Sequence, residues 1–408
     1  MKIGDICTKI CSGGTPTSSV IEYYNGNIPW LNTKEICFNR VYSTEKNITQ
    51  LGYESSAAKL IPRNSVIIAM YGATAAKCCI NKIPLTTNQA CCNLIIDEAK
   101  SDYNFVYYYM CSKYNELQSL ANGAAQQNLN TQIIKDFELP SLSLTNQKAI
   151  AAVLSALDDK IEVNRAINKN LEETAQAIFK SWFVGFEPFG GVMPADWRIG
   201  TFSDIVKTTF GGDWGKEIPE GNHTKQVFCI RGADIPEVKL GNKGKMPIRY
   251  ILSQNYALKQ LTVGDIVIEI SGGSPTQSTG RVCYISQALL DRYDRGIVCT
   301  NFCRAIKTKE HFSQFVYYYL QYLYTGDVFF SYENGTTGIK NFDLSGFLKT
   351  KEIVIPSSNY LYKFNELCLS VFAKTFSIGL QIQRLAEIRD ALLPKLMSGE
   401  IDVSQVKI

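Results

Sequence analysis

Two stretches of the chain repeat apolar residues at a spacing of seven, broken at one position of the first. In the first, Ile150, Leu157, Leu171 and Ile178 share one heptad position, with Asn164 as its polar member, and Val153, Ile167 and Ala175 fall near the companion positions. Adding 214 to the first set gives Phe364, Val371, Ile378, Leu385 and Leu392, all apolar. A sustained heptad lines apolar side chains along one side of a helix and favours its pairing with another helix. With no Gly or Pro before Gly185, the first stretch predicts one helix over 146–184. Such a helix is roughly 55 Å long at about 1.5 Å per residue. The second stretch predicts a matching helix and tail over 359–408, and a coiled coil between the two.

The remaining pattern is shorter in period and repeats as well. Val66-Ile67-Ile68-Ala69-Met70 is an apolar run bounded by Pro62-Arg63-Asn64 and Gly72, which predicts a buried strand, and Asp265 to Ile270 is its counterpart. Cys91 to Ile96 and Asn301 to Ile306 predict a second strand pair. The tyrosine-rich segments 103–120 and 312–330 have helical spacing. Phe105-Val106-Tyr107-Tyr108-Tyr109-Met110 returns as Phe315-Val316-Tyr317-Tyr318-Tyr319-Leu320, Asn122-Gly123 returns as Asn334-Gly335, and Leu139-Pro140 returns as Ile355-Pro356. Offsets that drift slowly upward along the chain indicate a tandem duplication. The order of parts is a mixed α/β module (1–145), a long helix (146–184), a Pro/Gly-rich linker (185–196), a second module (197–358) and a second long helix with its tail (359–408). The fold class is α+β.

Composition narrows the function classes. At 408 residues, 45% hydrophobic and 20% charged, the chain is long and apolar enough for two or three cores. No apolar run reaches the roughly 20 residues of a membrane helix, and the N-terminus lacks a signal-peptide core, so a cytoplasmic protein is expected. The thirteen cysteines form no CxxC, and only two histidines, His223 and His311, are present. No metal site is expected, and the cysteines are expected to act as small buried hydrophobes. Net charge is +4, with 12 basic against 11 acidic residues in 1–145 and 19 against 15 in 197–358. This is a weak basic excess for a nucleic-acid binder.

Catalytic signatures are absent: no phosphate-binding GxxxxGK[ST], no GxGxxG after a strand, no Asn-Pro-Pro-aromatic tetrapeptide of amino-methyl transfer. Asp265 and Glu269 share one side of a strand, but Ser65 and Ala69 stand at the repeat-equivalent positions, so no acid pair is maintained. The recognition chemistry lies in loops. Thr74 and Lys77 follow the first module's buried strand, and Gln277, Ser278 and Arg281 follow the second's. Gln126, Gln127 and Asn128 form a second loop in the first module, matched by Thr336, Thr337 and Lys340. Glycines beside a cation let backbone amides approach a phosphate, and Asn or Gln amides can pair with adenine. A solvated turn and helix capping use the same residues. The tyrosine triplets read as core.

Three segments in order resemble the specificity subunit of type I restriction–modification enzymes, over essentially the full chain. They are Ser12-Gly13-Gly14-Thr15-Pro16 with Tyr23-Tyr24-Asn25-Gly26-Asn27-Ile28-Pro29-Trp30-Leu31, then Gln147-Lys148-Ala149-Ile150 through Ser181-Trp182-Phe183-Val184-Gly185-Phe186-Glu187-Pro188, and finally Leu385 through Ile401. The resemblance implies two target-recognition domains separated by two long helices in an antiparallel coiled coil with pseudo-two-fold symmetry. It implies a non-catalytic subunit that reads double-stranded DNA, one half-site per domain, with the helices fixing the spacer. DNA methyltransferase subunits, two in number, would dock on the helices, and restriction/translocase subunits could join them. No cofactor is then expected on this chain, S-adenosylmethionine and ATP belonging to the partners. The candidate DNA contacts are the eleven loop residues above. The helix and partner interface is assigned to Ile150, Leu157, Leu171, Ile178, Val371, Ile378, Leu385 and Leu392. Phe210-Gly211-Gly212-Asp213-Trp214 in the second module departs from Ser12-Gly13-Gly14-Thr15-Pro16 in the first, so an asymmetric target is expected. The rival readings are a two-headed non-catalytic scaffold for a non-DNA ligand such as a peptide or glycan, and an enzyme of unrecognised chemistry.

Overall fold

Both heptad stretches are single helices, Leu144–Phe183 and Ser358–Ser398, in the computed structural model, which describes residues 1–121, 128–274, 276–335 and 340–403. The chain divides into two compact units, Met1–Asp159 with Ala386–Ile408, and Lys160–Leu385. Each unit therefore holds one α/β module and a segment of both long helices.

In the first unit, a sheet runs in the order Cys7–Ser12, Cys91–Ile96, Val66–Ala69, Cys78–Asn81, with Asn39–Val41 parallel on its edge. A smaller sheet places Tyr24–Leu31 between Lys46–Ile48, antiparallel, and Thr86–Thr87, parallel. The second unit repeats this order with Val206–Gly211, Cys303–Thr308, Ile266–Glu269 and Val282–Tyr284. Its smaller sheet again flanks a central strand, His223–Ile230, with an antiparallel Ile248–Leu252 and a parallel Ile297–Cys299. Even the irregularity recurs: the register of the first strand slips between Cys7 and Lys9 in one unit and between Val206 and Thr208 in the other. The duplication read from the sequence is thus a duplication of topology, bulge included.

The central strands Val66–Ala69 and Ile266–Glu269 are buried along their whole length because a tyrosine-bearing helix covers one face and the smaller sheet the other. The tyrosine segments are core, as expected. In the first unit the segment is two helices, Tyr103–Ser112 and Tyr114–Ala121, and in the second it is one, Ser313–Thr325. Hydroxyls from these helices end on carboxylates of the first long helix. Tyr108 donates to Asp158 at 2.6 Å, and Tyr317 and Tyr318 donate to Glu172 at 3.3 and 3.5 Å. Asp158 and Glu172 are two heptads apart, so the same helix position anchors the module in each unit. Burial pushes all three hydroxyls above the ordinary phenol range, helped by the neighbouring carboxylate, and they stay protonated donors.

The long helices pair antiparallel within each unit. In the second, Asn164 meets Gln381 at 3.5 Å, the Asn168 amide donates to the Thr375 carbonyl at 3.0 Å, and the Phe179 and Phe364 rings lie 5.9 Å apart. In the first, Arg389 donates to Asp158 at 2.6 Å, and Ile150 and Leu154 share a core with Leu396. Of the assigned interface residues, Ile150 and Ile378 are buried; Leu157, Leu171, Ile178, Val371, Leu385 and Leu392 are half-buried. The companion position agrees with the sequence reading at Ala175 and departs from it at Ile167. It is occupied by Gln147, Leu154, Ile161, Asn168 and Ala175, all buried, whereas Ile167 is exposed. The reason is the alternating three- and four-residue step of a heptad: four residues beyond Leu171 lies Ala175, but three beyond Asn164 lies Ile167, already turned off the seam.

The linker is held by aromatic packing. Phe189 lies against Trp197 and Tyr360, with ring centroids 5.2 and 4.7 Å apart, over a short turn at Glu187–Phe189 that Gly190 closes at a φ of 70°.

Candidate nucleic-acid interface

In each unit, the strand-following loop and the second candidate loop are fastened together by the same backbone bonds. Leu129 N–H donates to the Met70 carbonyl at 3.0 Å, immediately ahead of the loop that holds Thr74 and Lys77. Phe342 N–H donates to the Ile270 carbonyl at 2.8 Å, immediately ahead of the loop that holds Gln277 and Arg281. A short helix then leaves each junction, started by a side-chain cap: Asn130 accepts from Ile133 N–H and Asp343 from Gly346 N–H, each at 2.9 Å. The second unit adds a small sheet in which Ser271–Gly272 pairs with Lys340–Phe342, and that strand with Glu333–Asn334. Residues 59 positions apart in the first unit, Met70 and Leu129, and 72 apart in the second, Ile270 and Phe342, thus meet at one surface.

The predicted contacts occupy different environments on that surface. Thr74 donates its hydroxyl to the Thr33 carbonyl at 2.9 Å, and Lys77 is half-buried with its ammonium 4.0 Å from Cys37 Sγ. Asn128 is exposed. Gln277 is exposed and its amide reaches the Tyr324 hydroxyl at 3.4 Å. Ser278 is buried, and its hydroxyl faces inward without a partner among the described residues. Arg281 makes a two-pronged pair with Glu269, at 2.8 and 2.6 Å, and Lys340 pairs with Glu333 at 2.9 Å while its ammonium lies 4.4 Å from the centre of the Phe330 ring. Gln126, Gln127, Thr336 and Thr337 lie outside the described residues.

Glu333 clamps the second unit's two loops. Besides Lys340, it accepts from the backbone N–H and the hydroxyl of Thr279, at 2.6 and 2.8 Å. Burial alone would raise its carboxyl, but these donors outweigh burial and hold it below the usual glutamate range, so it is a fixed anion at neutral pH. Asp265 pairs with Lys307 at 2.9 Å as Glu269 pairs with Arg281. The two strand carboxylates are each paired with a cation, an arrangement that ties neighbouring strands and loop together. The cysteines behave as hydrophobes: ten are buried, and burial pushes the Cys229 and Cys303 thiols up to about 12. Among the described residues, no group of three or more His, Cys, Asp or Glu side chains is placed to hold a metal ion, and no helix is long and apolar enough to cross a membrane.

Two features escaped sequence reading. A recess of about 280 Å³ beside the second unit's loops gathers Gln277 and Arg281 with Lys239, Gln321 and Tyr324. Gln321 and Tyr324 extend the face of the Tyr317–Tyr318 helix at three-residue steps, so helical periodicity carried past the triplet would have found them. The second is Arg249, which is buried and stacks 4.1 Å over the Trp214 ring while donating to the Trp214 carbonyl and Glu217. Nothing in the spacing of Trp214 and Arg249 signals that contact.

Comparison with known proteins agrees with this architecture. Residues 1–173 match the family model described as the type I restriction modification DNA specificity domain. The type I restriction enzyme MjaIX specificity subunit of Methanocaldococcus jannaschii is 28% identical over 99% of this chain and 94% of its own length. The HindI specificity subunit of Haemophilus influenzae is 26% identical over 62% of this chain and 67% of its own. The crystal structure of a type I restriction–modification S subunit from M. genitalium shares the fold, with a TM-score of 0.53 at 18% identity, covering 97% of this chain and 95% of that one.

Proposed function

We propose that this chain, a member of the type I restriction–modification specificity-subunit family, is the sequence-reading subunit of a DNA methyltransferase complex, each unit reading one half of a bipartite site. The observation that carries the reading is the paired-loop surface. The same backbone bonds fasten two loops in both units, while the side chains on those loops differ: Thr74, Lys77 and Asn128 in one, Gln277 and Arg281 in the other. A shared frame with different loop chemistry suits two half-sites of different sequence, so the target is asymmetric. The long helices fix the unread spacer and dock two methyltransferase subunits, and restriction/translocase subunits can join them. S-adenosylmethionine and ATP are bound by those partners, in the cytoplasm. The full-length relationship to specificity subunits favours this reading over a scaffold for peptide or glycan.

Gln277→Ala provides a direct test. Its amide is exposed at the loop surface and a bidentate amide–base pair carries about 1–3 kcal/mol of discrimination. Methylation in cells carrying the variant is expected to lose stringency at one position of one half-site by about tenfold or more, with the other half-site and the spacer unchanged. Altered preference in both halves would contradict the assignment of one half-site to each unit.

A further inference from the structure

The second unit has an open cleft of about 610 Å³ beginning where its two loops leave the sheet, with Ile270 and Phe342, the residues that fasten those loops, in its wall. Arg304, on the strand Cys303–Thr308, and Lys349, on the helix Leu344–Thr350, line it together with Thr209 and Asp343. Neighbouring cations are engaged internally: Arg281 with Glu269, Lys340 with Glu333, Lys307 with Asp265, Arg231 with Asp234. Arg304 and Lys349 are exposed and have no carboxylate partner among the described residues. Asp343, the carboxylate at the cleft, already accepts from Gly346 N–H as a helix cap. Two unneutralised cations of different chemistry, one forked and one a point charge, with a hydroxyl beside them, suit a phosphate group.

We propose that this cleft seats a backbone phosphate of duplex DNA, held by Arg304 and Lys349. The proposal rests on the DNA-reading function above and deepens it. Phosphate contacts fix where a protein sits on the duplex while base contacts identify the sequence, so the cleft positions the second unit's loops over their half-site. The seat is particular to this unit. Strand register equates Ile306 with Leu94, since these pair with Ile266 and Val66 respectively, which places Cys92 of the first unit at the position of Arg304. Cys92 is fully buried in its core. One unit carries a cation at this strand position and the other a hydrophobe, a second asymmetry beneath the asymmetric loops.

The test uses the full-length chain and a duplex of random sequence, with affinity measured across a range of salt concentration. Each lost phosphate contact lowers the slope of log affinity against log salt by about 0.9. Arg304→Ala and Lys349→Ala are expected to lower it by about 1 each and the double variant by about 2, with the methylated motif unchanged in identity. Both residues are exposed, so folding is preserved, and Arg304→Lys is expected to keep most of the slope. A double variant with the wild-type slope and affinity overturns the phosphate seat while leaving the DNA reading intact. A wild-type chain with no salt-dependent affinity overturns both.

Discussion

Gly379→Ala is expected to destabilise the second unit by about 3 kcal/mol, where the same change on an exposed helix surface would stabilise by up to about 1 kcal/mol. Gly379 lies inside the second long helix, and a Cβ there would fall within the van der Waals surface of the Gly241 carbonyl oxygen. Gly241 is itself held against the helix: its φ is 77°, and a Cβ on it would collide with the Thr375 carbonyl. Two backbones meet with no side chain between them, so neither can yield by changing rotamer. Relief requires the 240–241 turn to lift off the helix. That turn is tied down by the Asn168 amide, which donates to the Leu240 carbonyl at 2.9 Å and to Thr375 at 3.0 Å, and by Arg292, which donates to Gly241 and, at 2.6 Å, to Gln383. Overpacking costs about 1–3 kcal/mol and each buried hydrogen bond lost about 1 kcal/mol or more. The helix propensity gained by alanine offsets about 1 kcal/mol of this. For a unit of this size the melting temperature should fall by roughly 10 °C. A melting temperature equal to or above wild type would show that the turn is not locked to the helix.

Changing Leu171 and Leu385 together to Asp is the second large effect. Both are half-buried residues of the second unit's helix seam, at heptad positions flanked by the buried Asn168, Ala175 and Ile382. Aspartate at both positions removes the apolar burial of two leucines, about 1.5–3 kcal/mol each when complete, and sets charge against an apolar seam, which costs further free energy. The helices are expected to separate locally, and co-purification of methyltransferase subunits to be lost. The sheets of both units should remain folded, because Leu171 and Leu385 stand outside the hydrophobic cores in which the tyrosine helices and the buried strands pack. Amide exchange would show protection retained at Ile266–Glu269 and lost along the helices. Intact assembly in the double variant would remove the seam from the account of partner docking.

Much of this architecture is legible in the sequence because it rests on periodicity. The heptads of Ile150 to Ile178 and Phe364 to Leu392 give both long helices to within a few residues, and the paired apolar runs give the central strands of both units. The repeat of Asn122-Gly123 as Asn334-Gly335 points to a second loop in each module, Asn122 and Gly123 themselves lying outside the described residues. The unread features depend on partners distant in sequence. Arg281 and Lys340 are cations in sequence and neutral pairs in the fold, because Glu269 and Glu333 reach them through strand pairing. Arg304 has no local signal, since it stands on a strand whose neighbours Cys303 and Ala305 are buried. Gly241 and Gly379 become informative only when the backbones meet, 138 residues apart. Ser278 is hydroxyl-rich loop by composition and interior by packing. Charge availability and side-chain direction, more than element type, separate a candidate list from a site.

If this chain supplies sequence specificity to a methyltransferase, as proposed, methylation at the motif depends on its presence. Methylome sequencing of a host carrying a type I methyltransferase subunit that assembles with this chain, with and without the chain, distinguishes the outcomes. The expected result is a methylated motif present only with the chain, made of two different half-sites separated by unread base pairs. The same methylation in both hosts, or a chain-dependent motif that is continuous or palindromic, would contradict it.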